Sequence, residues 1–229
     1  MNEGCRFAVI VAGGHGTRMQ NDVPKQYIEI LGKHVLVYTI ESFLKAEVDV
    51  LILVLAKKYF KIWESIKEKW LPNYTIQLVE GGDSRFYSVR NGLKGVDGAG
   101  IVAIHDAARP CVSTRLINSG FEAASVYKSA IAAVALKDSI REKSGSKTIS
   151  RDRSNYYLIQ TPQTFDSKLL KNAYEQPHNI LFTDDASVVA SDDHEVHLIE
   201  GSYKNIKITT DGDLYLAQLF LSKNWEDIP

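Results

Sequence analysis

The stretch Phe7-Ala8-Val9-Ile10-Val11-Ala12-Gly13-Gly14-His15-Gly16-Thr17-Arg18-Met19, followed shortly by Pro24-Lys25-Gln26, decides the fold. Phe7 to Val11 is an apolar run that reads as a buried strand. It releases a loop almost without side chains, in which backbone N–H groups can approach a bound group closely. Successive amides in such a turn form a nest suited to phosphate, and Arg18 and Lys25 add two positive charges. The Walker pattern is excluded, because no Gly-Lys-Ser/Thr follows. The dinucleotide pattern is excluded as well, because Met19 stands where its third glycine belongs. The stretch reads as a nucleoside triphosphate site; on the glycines alone, a tight strand-to-helix turn would serve as well.

Outward from this loop, strand-like and helix-like segments alternate. Val35, Leu36, Ile40, Phe43 and Leu44 recur at helical spacing, and Asp49 to Leu55 reads as a second strand. Phe60, Trp63, Ile66 and Trp70 mark one face of a helix closed by Pro72 and read as core. Tyr74 to Val79 is a third strand, Ser84 to Leu93 a helix, and Ile101 to Ile104 a fourth strand that ends at His105-Asp106-Ala107-Ala108-Arg109-Pro110. A helix over 114–127 and a fifth strand over 131–136 follow. The alternation predicts an α/β fold, a Rossmann-like, mostly parallel sheet with helices on both faces. Ligands of such sheets sit beyond the carboxyl ends of the strands. The glycine loop, Gly81-Gly82-Asp83 and His105-Asp106 should therefore meet at one edge.

Residues 137–160 break the pattern. They are polar and charged, with Ser144-Gly145-Ser146 between β-prone runs, and predict a β-arm leaving the sheet; a disordered loop is the alternative reading. Such an arm has little core of its own, which favours a partner surface and a homodimer. Beyond it, Thr161-Pro162-Gln163-Thr164-Phe165 reads as a turn, Leu169 and Leu170 as helical, and Thr183-Asp184-Asp185-Ala186-Ser187 as a helix cap. Glu195 to Glu200 and Asn205 to Thr209 read as two more strands. Asp211 to Leu221 reads as a closing amphipathic helix with Asp211 and Asp213 as capping residues.

The 229 residues fit a single domain, with 45% apolar and 24% charged residues and a net charge of −1. That balance argues against a nucleic-acid partner. No stretch is apolar for long enough to span a membrane, and no signal-peptide pattern opens the chain. Cys5 and Cys111 fit no metal spacing, so reduced thiols and cytoplasmic residence are expected.

The glycine loop, Gly81-Gly82-Asp83-Ser84-Arg85, His105 to Pro110, Gln160-Thr161-Pro162-Gln163 and Asn205-Ile206-Lys207-Ile208-Thr209 together resemble the 2-C-methyl-D-erythritol 4-phosphate cytidylyltransferase family of the non-mevalonate isoprenoid pathway. The blocks run in family order from about residue 7 to 220. A related family, ribitol-5-phosphate cytidylyltransferase, shares most of them. Gly13 leans toward that relative, whereas Ala108 and Ser88 to Leu93 lean toward the isoprenoid enzyme. Ser139 replaces a usual threonine and keeps the hydroxyl.

The resemblance implies a nucleotide-diphospho-sugar transferase type of fold. It also implies a reaction joining CTP to a polyol phosphate with release of pyrophosphate, assisted by Mg²⁺ or another divalent cation. By similarity, Arg18 and Lys25 stabilise the transition state, and Arg153 and Lys207 hold the second substrate with Arg109, Ser139 and Thr183 nearby. Ala12, Gly13, Gly14, Gly16, Gly82, Asp83 and Ser88 face the cytidine end, with Asp106 and Ala107 beside it. Asp106, ending a buried strand, is the metal candidate, because Mg²⁺ prefers hard oxygen ligands. A cap on the next turn is its alternative role. His105 reads as a packed neighbour, since Mg²⁺ disfavours imidazole. A ribitol 5-phosphate acceptor, a non-catalytic nucleotide-binding module and, more remotely, a glycosyltransferase are the competing functions.

Overall fold

The computed structural model describes residues 4–13, 24–191 and 193–222. Strand β1 (Cys5–Val11) is the opening apolar run. A two-residue hairpin follows, β2 (Glu29–Ile30) and β3 (Lys33–His34), with Leu31 at φ 52° and Gly32 at φ 77°. Both turn residues are left-handed, as a type I′ turn requires. Helix α1 (Val35–Lys45), β4 (Val50–Leu55), α2 (Phe60–Trp70) and β5 (Gln77–Glu80) complete the first alternating half. Helix α3 (Arg85–Gly92) is capped by Ser84, whose Oγ accepts from Tyr87 N at 3.4 Å. Strand β6 (Gly100–Asp106) leads to α4 (Thr114–Tyr127), which Ser113 caps and which Lys128 ends at φ 64°. Strand β7 (Ser129–Ala135) precedes the arm, a hairpin of β8 (Ile140–Ser144) and β9 (Lys147–Arg151) forming its own two-stranded sheet. Strand β10 (Tyr157–Asp166), α5 (Ser167–Ala173), α6 (Asp185–Ala190), β11 (Leu198–Glu200) and α7 (Asp211–Ser222) close the chain.

The main sheet has the order β11-β7-β10-β6-β1-β4-β5. Its pairings are parallel except where β10 runs antiparallel between β6 and β7. The pleat divides β1 between two cores. Ala8 and Ile10 pack with Leu36 and Phe43 of α1, Trp63 of α2 and Phe121 of α4. Phe7 and Val9 pack with Phe86 and Val89 of α3, Leu170 of α5 and Val188 of α6. Helices therefore cover both faces, which is why β1 and β4 are apolar at nearly every position. Burying each large side chain contributes about 1.5–3 kcal/mol. Gly92 lets α3 lie close on the sheet: a Cβ there would stand 2.6 Å from Val9 Cγ1 and 2.8 Å from Val54 Cγ2.

Two sequence expectations are corrected. Thr161 to Phe165 is not a turn but the inner half of β10, buried between β6 and β7. Its proline and glutamines mislead because the pairing with β7 jumps from Ile159–Ala133 to Gln163–Ile131. Pro162, which has no N–H, falls in that irregularity, where no ladder bond is needed. Asn205 to Thr209 is not a strand. It is joined to the His105–Pro110 loop by Ile208 N donating to Ala108 O at 2.9 Å. In addition, the strand expected over 195–200 shortens to β11.

Candidate active site

The carboxyl ends of the central strands carry three loops that are sewn together by backbone hydrogen bonds. Ala12 N donates to Val54 O at 2.7 Å, Gly81 N to Leu55 O at 3.0 Å and Ala107 N to Val11 O at 3.0 Å. The starts of the three loops expected at one edge are thus found there, the glycine loop being described only as far as Gly13. Gln26 Nε2 donates to Ala12 O at 2.7 Å from a buried position, which ties the Pro24-Lys25-Gln26 turn to the foot of the glycine loop. Gly14, Gly16 and Arg18 lie outside the described residues.

Ser88 sits behind a floor of small residues. Its Oγ accepts from Gly82 N at 3.1 Å and donates to Gly82 O at 3.4 Å. A Cβ at Gly13 would stand 3.0 Å from that oxygen, and one at Gly82 would stand 2.4 Å from Tyr87 Cβ. Gly13, Gly82 and Ser88 therefore converge, and exposed Asp83 follows on the same loop. Gly82 has no room for a side chain, and Gly13 has little.

Beside this floor, Asp106 ends β6 inside a ring of cations. Lys207 Nζ lies 2.7 Å from Oδ2, Arg85 Nε 3.3 Å from Oδ1, and Arg109 Nε 3.9 Å from Oδ2. Burial alone would raise the carboxyl's pKa. The Arg85, Lys207 and Arg109 charges outweigh it and hold Asp106 well below the usual carboxylate range. Arg109 Nε is buried with no hydrogen-bond partner among the described residues, although Nη1 donates to Asn205 O at 2.7 Å.

A Mg²⁺ ion would find one ionised, hard oxygen donor at Asp106. Among the described residues no group of three or more His, Cys, Asp and Glu side chains could hold a metal. One carboxylate is too little for a metal cage, but it matches Mg²⁺ that keeps phosphates and waters as its other ligands. His105 is fully buried, and its Nε2 meets Arg109 O at 3.3 Å. Its ring packs 5.1 Å from that of Phe43, as expected of a packed neighbour.

The segment misread as a turn proves to be the scaffold of the site. Thr161 Oγ1 accepts from Asp106 N at 3.1 Å. Gln160 Nε2 donates to Ser202 O at 2.8 Å, and Asn205 Nδ2 donates to Thr161 O at 2.8 Å. These bonds hold the segment that delivers Lys207. Gln163 Nε2 donates to Asp184 Oδ2 at 2.8 Å, and its Oε1 accepts from Ala186 N at 2.8 Å, which fixes the start of α6. Asp184 caps α6 in a capping box with Ser187. Asp185 does not share that role. It is buried and takes both ends of the Arg85 guanidinium, at 3.0 and 2.7 Å. Arg85, named only within the Gly81–Arg85 block, and Asp185, read only as part of a helix cap, join the site through this pair, which no local pattern signals.

The remaining candidates stand further out. Thr183 is exposed just before Asp184, and Ser139 and Arg153 are exposed at the root of the arm. Arg153 Nη1 donates to Lys137 O. Neither Ser139 nor Arg153 hydrogen-bonds to Asp106, Arg85 or Lys207 among the described residues. Asp213 accepts from the backbone and hydroxyls of Thr209 and Thr210 at 2.7–2.9 Å, a capping role for the start of α7.

The mouth of a mostly parallel sheet thus brings small residues together with a cation-ringed carboxylate. The 2-C-methyl-D-erythritol 4-phosphate cytidylyltransferase family matches residues 7–223. The enzyme of that name from Bacteroides fragilis is 44% identical over 220 residues, covering 95% of this chain and 100% of the relative. The one from Phocaeicola vulgatus is 41% identical, covering 94% and 99%. The crystal structure of 4-diphosphocytidyl-2C-methyl-D-erythritol synthase from Anaerococcus prevotii superposes with a TM-score of 0.83 at 31% identity, covering 96% of this chain and 99% of that one. The chain belongs to the 2-C-methyl-D-erythritol 4-phosphate cytidylyltransferase family.

Proposed function

We propose that the chain joins CTP to 2-C-methyl-D-erythritol 4-phosphate, giving 4-diphosphocytidyl-2-C-methyl-D-erythritol and pyrophosphate for isoprenoid precursor synthesis. The observation that carries this reading is the Asp106 carboxylate ringed by Lys207, Arg85 and Arg109 beside the small-residue floor of Gly13, Gly82 and Ser88.

The nucleophile is a phosphate oxygen of the polyol, already ionised at neutral pH. It forms a bond to the α-phosphorus of CTP as the bond to the bridging oxygen of pyrophosphate breaks. No proton need move, so no general base is required. The chain's task is to bring two anions together and to stabilise charge at a crowded phosphorus. Arg18 and Lys25 serve the transition state. Arg153 and Lys207 hold the polyol phosphate with Arg109, Ser139 and Thr183. Ala12, Gly13, Gly14, Gly16, Gly82, Asp83 and Ser88 receive the cytidine end, with Ala107 beside it. Asp106 is the residue that would hold Mg²⁺, which would supply positive charge against the phosphates.

The arm is the proposed dimer surface. Tyr156, Tyr157, Leu158 and Ile159 lie exposed in a row where β10 leaves the arm, with Ile149 exposed on β9. Apolar residues gathered in this way mark an association surface. Sedimentation should give twice the chain's mass; a monomer at working concentration contradicts the dimer. No helix among the described residues is long and apolar enough to cross a membrane, and cytoplasmic residence is part of the reading.

The test is to incubate the protein and Mg²⁺ with each of the four NTPs, with and without 2-C-methyl-D-erythritol 4-phosphate or ribitol 5-phosphate. Pyrophosphate should appear with CTP and the methylerythritol phosphate only. Release with ribitol 5-phosphate would redirect the acceptor. Tight CTP binding without release in any mixture would make the chain a binding module.

A further inference from the structure

We infer that Arg85 is a positioning residue that locks the Asp106 carboxylate to the start of α6, so that the loop carrying Thr183 keeps register with Asp106. This inference rests on the proposed reaction for the ligands it names.

One guanidinium uses three of its N–H edges on two carboxylates. Nη1 and Nη2 engage Asp185 at 3.0 and 2.7 Å, and Nε engages Asp106 at 3.3 Å. Asp185 is fully buried, and Tyr174 donates its hydroxyl to Asp185 Oδ1 at 2.6 Å, so the far end of the link is rigidly held. A buried ion pair is a poor device for stability, since apolar residues of like volume often do as well or better. Its advantage is geometric. Only the planar fork of arginine can hold one carboxylate bidentately while directing a further N–H at another.

The surrounding packing points the same way. Phe86, the next residue, stacks on Tyr174 at 4.8 Å and on Phe182 at 5.9 Å, and packs against His178 at 5.2 Å. The loop between α5 and α6 is thus docked on the first turn of α3. Phe182 directly precedes Thr183, and Asp185 follows it by two residues. Arg85 therefore joins the strand end bearing Asp106 to both flanks of Thr183. Substrate groups held between Asp106 and Thr183 need that spacing fixed, because small misplacements of positioning groups slow reaction steeply.

The experiment compares wild type with Arg85→Lys and Asp185→Asn, using Ile66→Ala, buried on α2 in the other core, as a packing control. Lysine keeps the charge and loses the fork. The expected result for Arg85→Lys and Asp185→Asn is a KM for 2-C-methyl-D-erythritol 4-phosphate raised about tenfold or more, with a clearly smaller rise in the KM for CTP, because Lys207 and Arg109 still hold Asp106. Ile66→Ala should lower the melting temperature while leaving the polyol KM near wild type. Hydrogen exchange on the metal-free, substrate-free proteins supplies a second readout. Amides of residues 175–187 should exchange about tenfold faster in either ion-pair variant, with those of β1 and β6 unchanged. Equal rises in both KM values, unchanged KM values with wild-type turnover, or wild-type protection of 175–187 would each overturn the inference. If wild type itself releases no pyrophosphate, the proposed reaction fails, and the exchange measurement still decides the link. Either variant suffices if the other does not fold.

Discussion

The ammonium of Lys207 lies 2.7 Å from Asp106 Oδ2. On the proposed mechanism these two residues serve different ligands, the polyol phosphate and a Mg²⁺-bearing nucleotide. Their pair must therefore open as the substrates arrive, and each holds the other's charge in place until then. Lys207→Gln is expected to raise the KM for the polyol phosphate at least about tenfold, since a charge-assisted bond to phosphate is lost. Calorimetry should show CTP affinity kept within about threefold. Loss of CTP binding with unchanged polyol KM would reverse the assignment.

Lys25 stands on the turn that Gln26 fastens to Ala12 O at 2.7 Å. On the proposed mechanism its charge serves the transition state. Lys25→Ala should lose at least ~100-fold in kcat, the scale of losing one preorganised electrostatic donor. The melting temperature should stay at the wild-type value. Near-normal turnover would remove Lys25 from the mechanism.

Arg153 lies on the exposed root of the arm, where it donates to Lys137 O. Its proposed partner is the polyol phosphate, reached across the dimer. Arg153→Ala should raise the KM for the polyol phosphate more than that for CTP. In mixed dimers with Lys25→Ala protomers, activity should partly return, since one of the two sites then has both residues intact. Kinetics with the opposite split, or no recovery on mixing, would contradict the role.

His105 gives a stability prediction. Burial, assisted by the Arg109 and Lys207 charges and opposed by Asp106, pushes its imidazole down to about 3. The unfolded chain takes up this proton near pH 6.5. Between about pH 6.5 and about 3 the unfolded state thus binds more protons, and stability falls as pH falls. One group contributes at most about 1.4 kcal/mol per pH unit. Urea titrations of His105→Gln should give a flatter stability profile from about pH 6.5 to 4 than wild type. An unchanged slope would mean that His105 is accessible to protons in the fold.

Much of this architecture was legible because apolar period and caps agree with the final packing. The cap read over Thr183 to Ser187 is found, with Asp184 as the capping residue of α6. The alternation of Phe7, Val9 and Val11 against Ala8 and Ile10 is hidden in a continuous apolar run, as befits a strand covered on both faces. What escaped was polar and long-range. Gln160, Thr161 and Gln163 look like turn residues until their partners at Ser202, Asn205, Asp106 and Asp184 are seen. Arg85 and Asp185 meet across 100 positions, and no local pattern announces such a pair. Conversely, Asn205 to Thr209 has strand-like composition but spends its hydrogen bonds on the site.

The central claim is that cations at the mouth of one sheet let two phosphate esters meet. A crystal soaked with CTP and Mg²⁺ tests it most directly. The account predicts the base over Gly13, Gly82 and Ser88 and the triphosphate beside Lys25 and Asp106, with Lys207 turned from Asp106 toward the open side. A triphosphate bound elsewhere, with the Asp106–Lys207 pair intact, would contradict it.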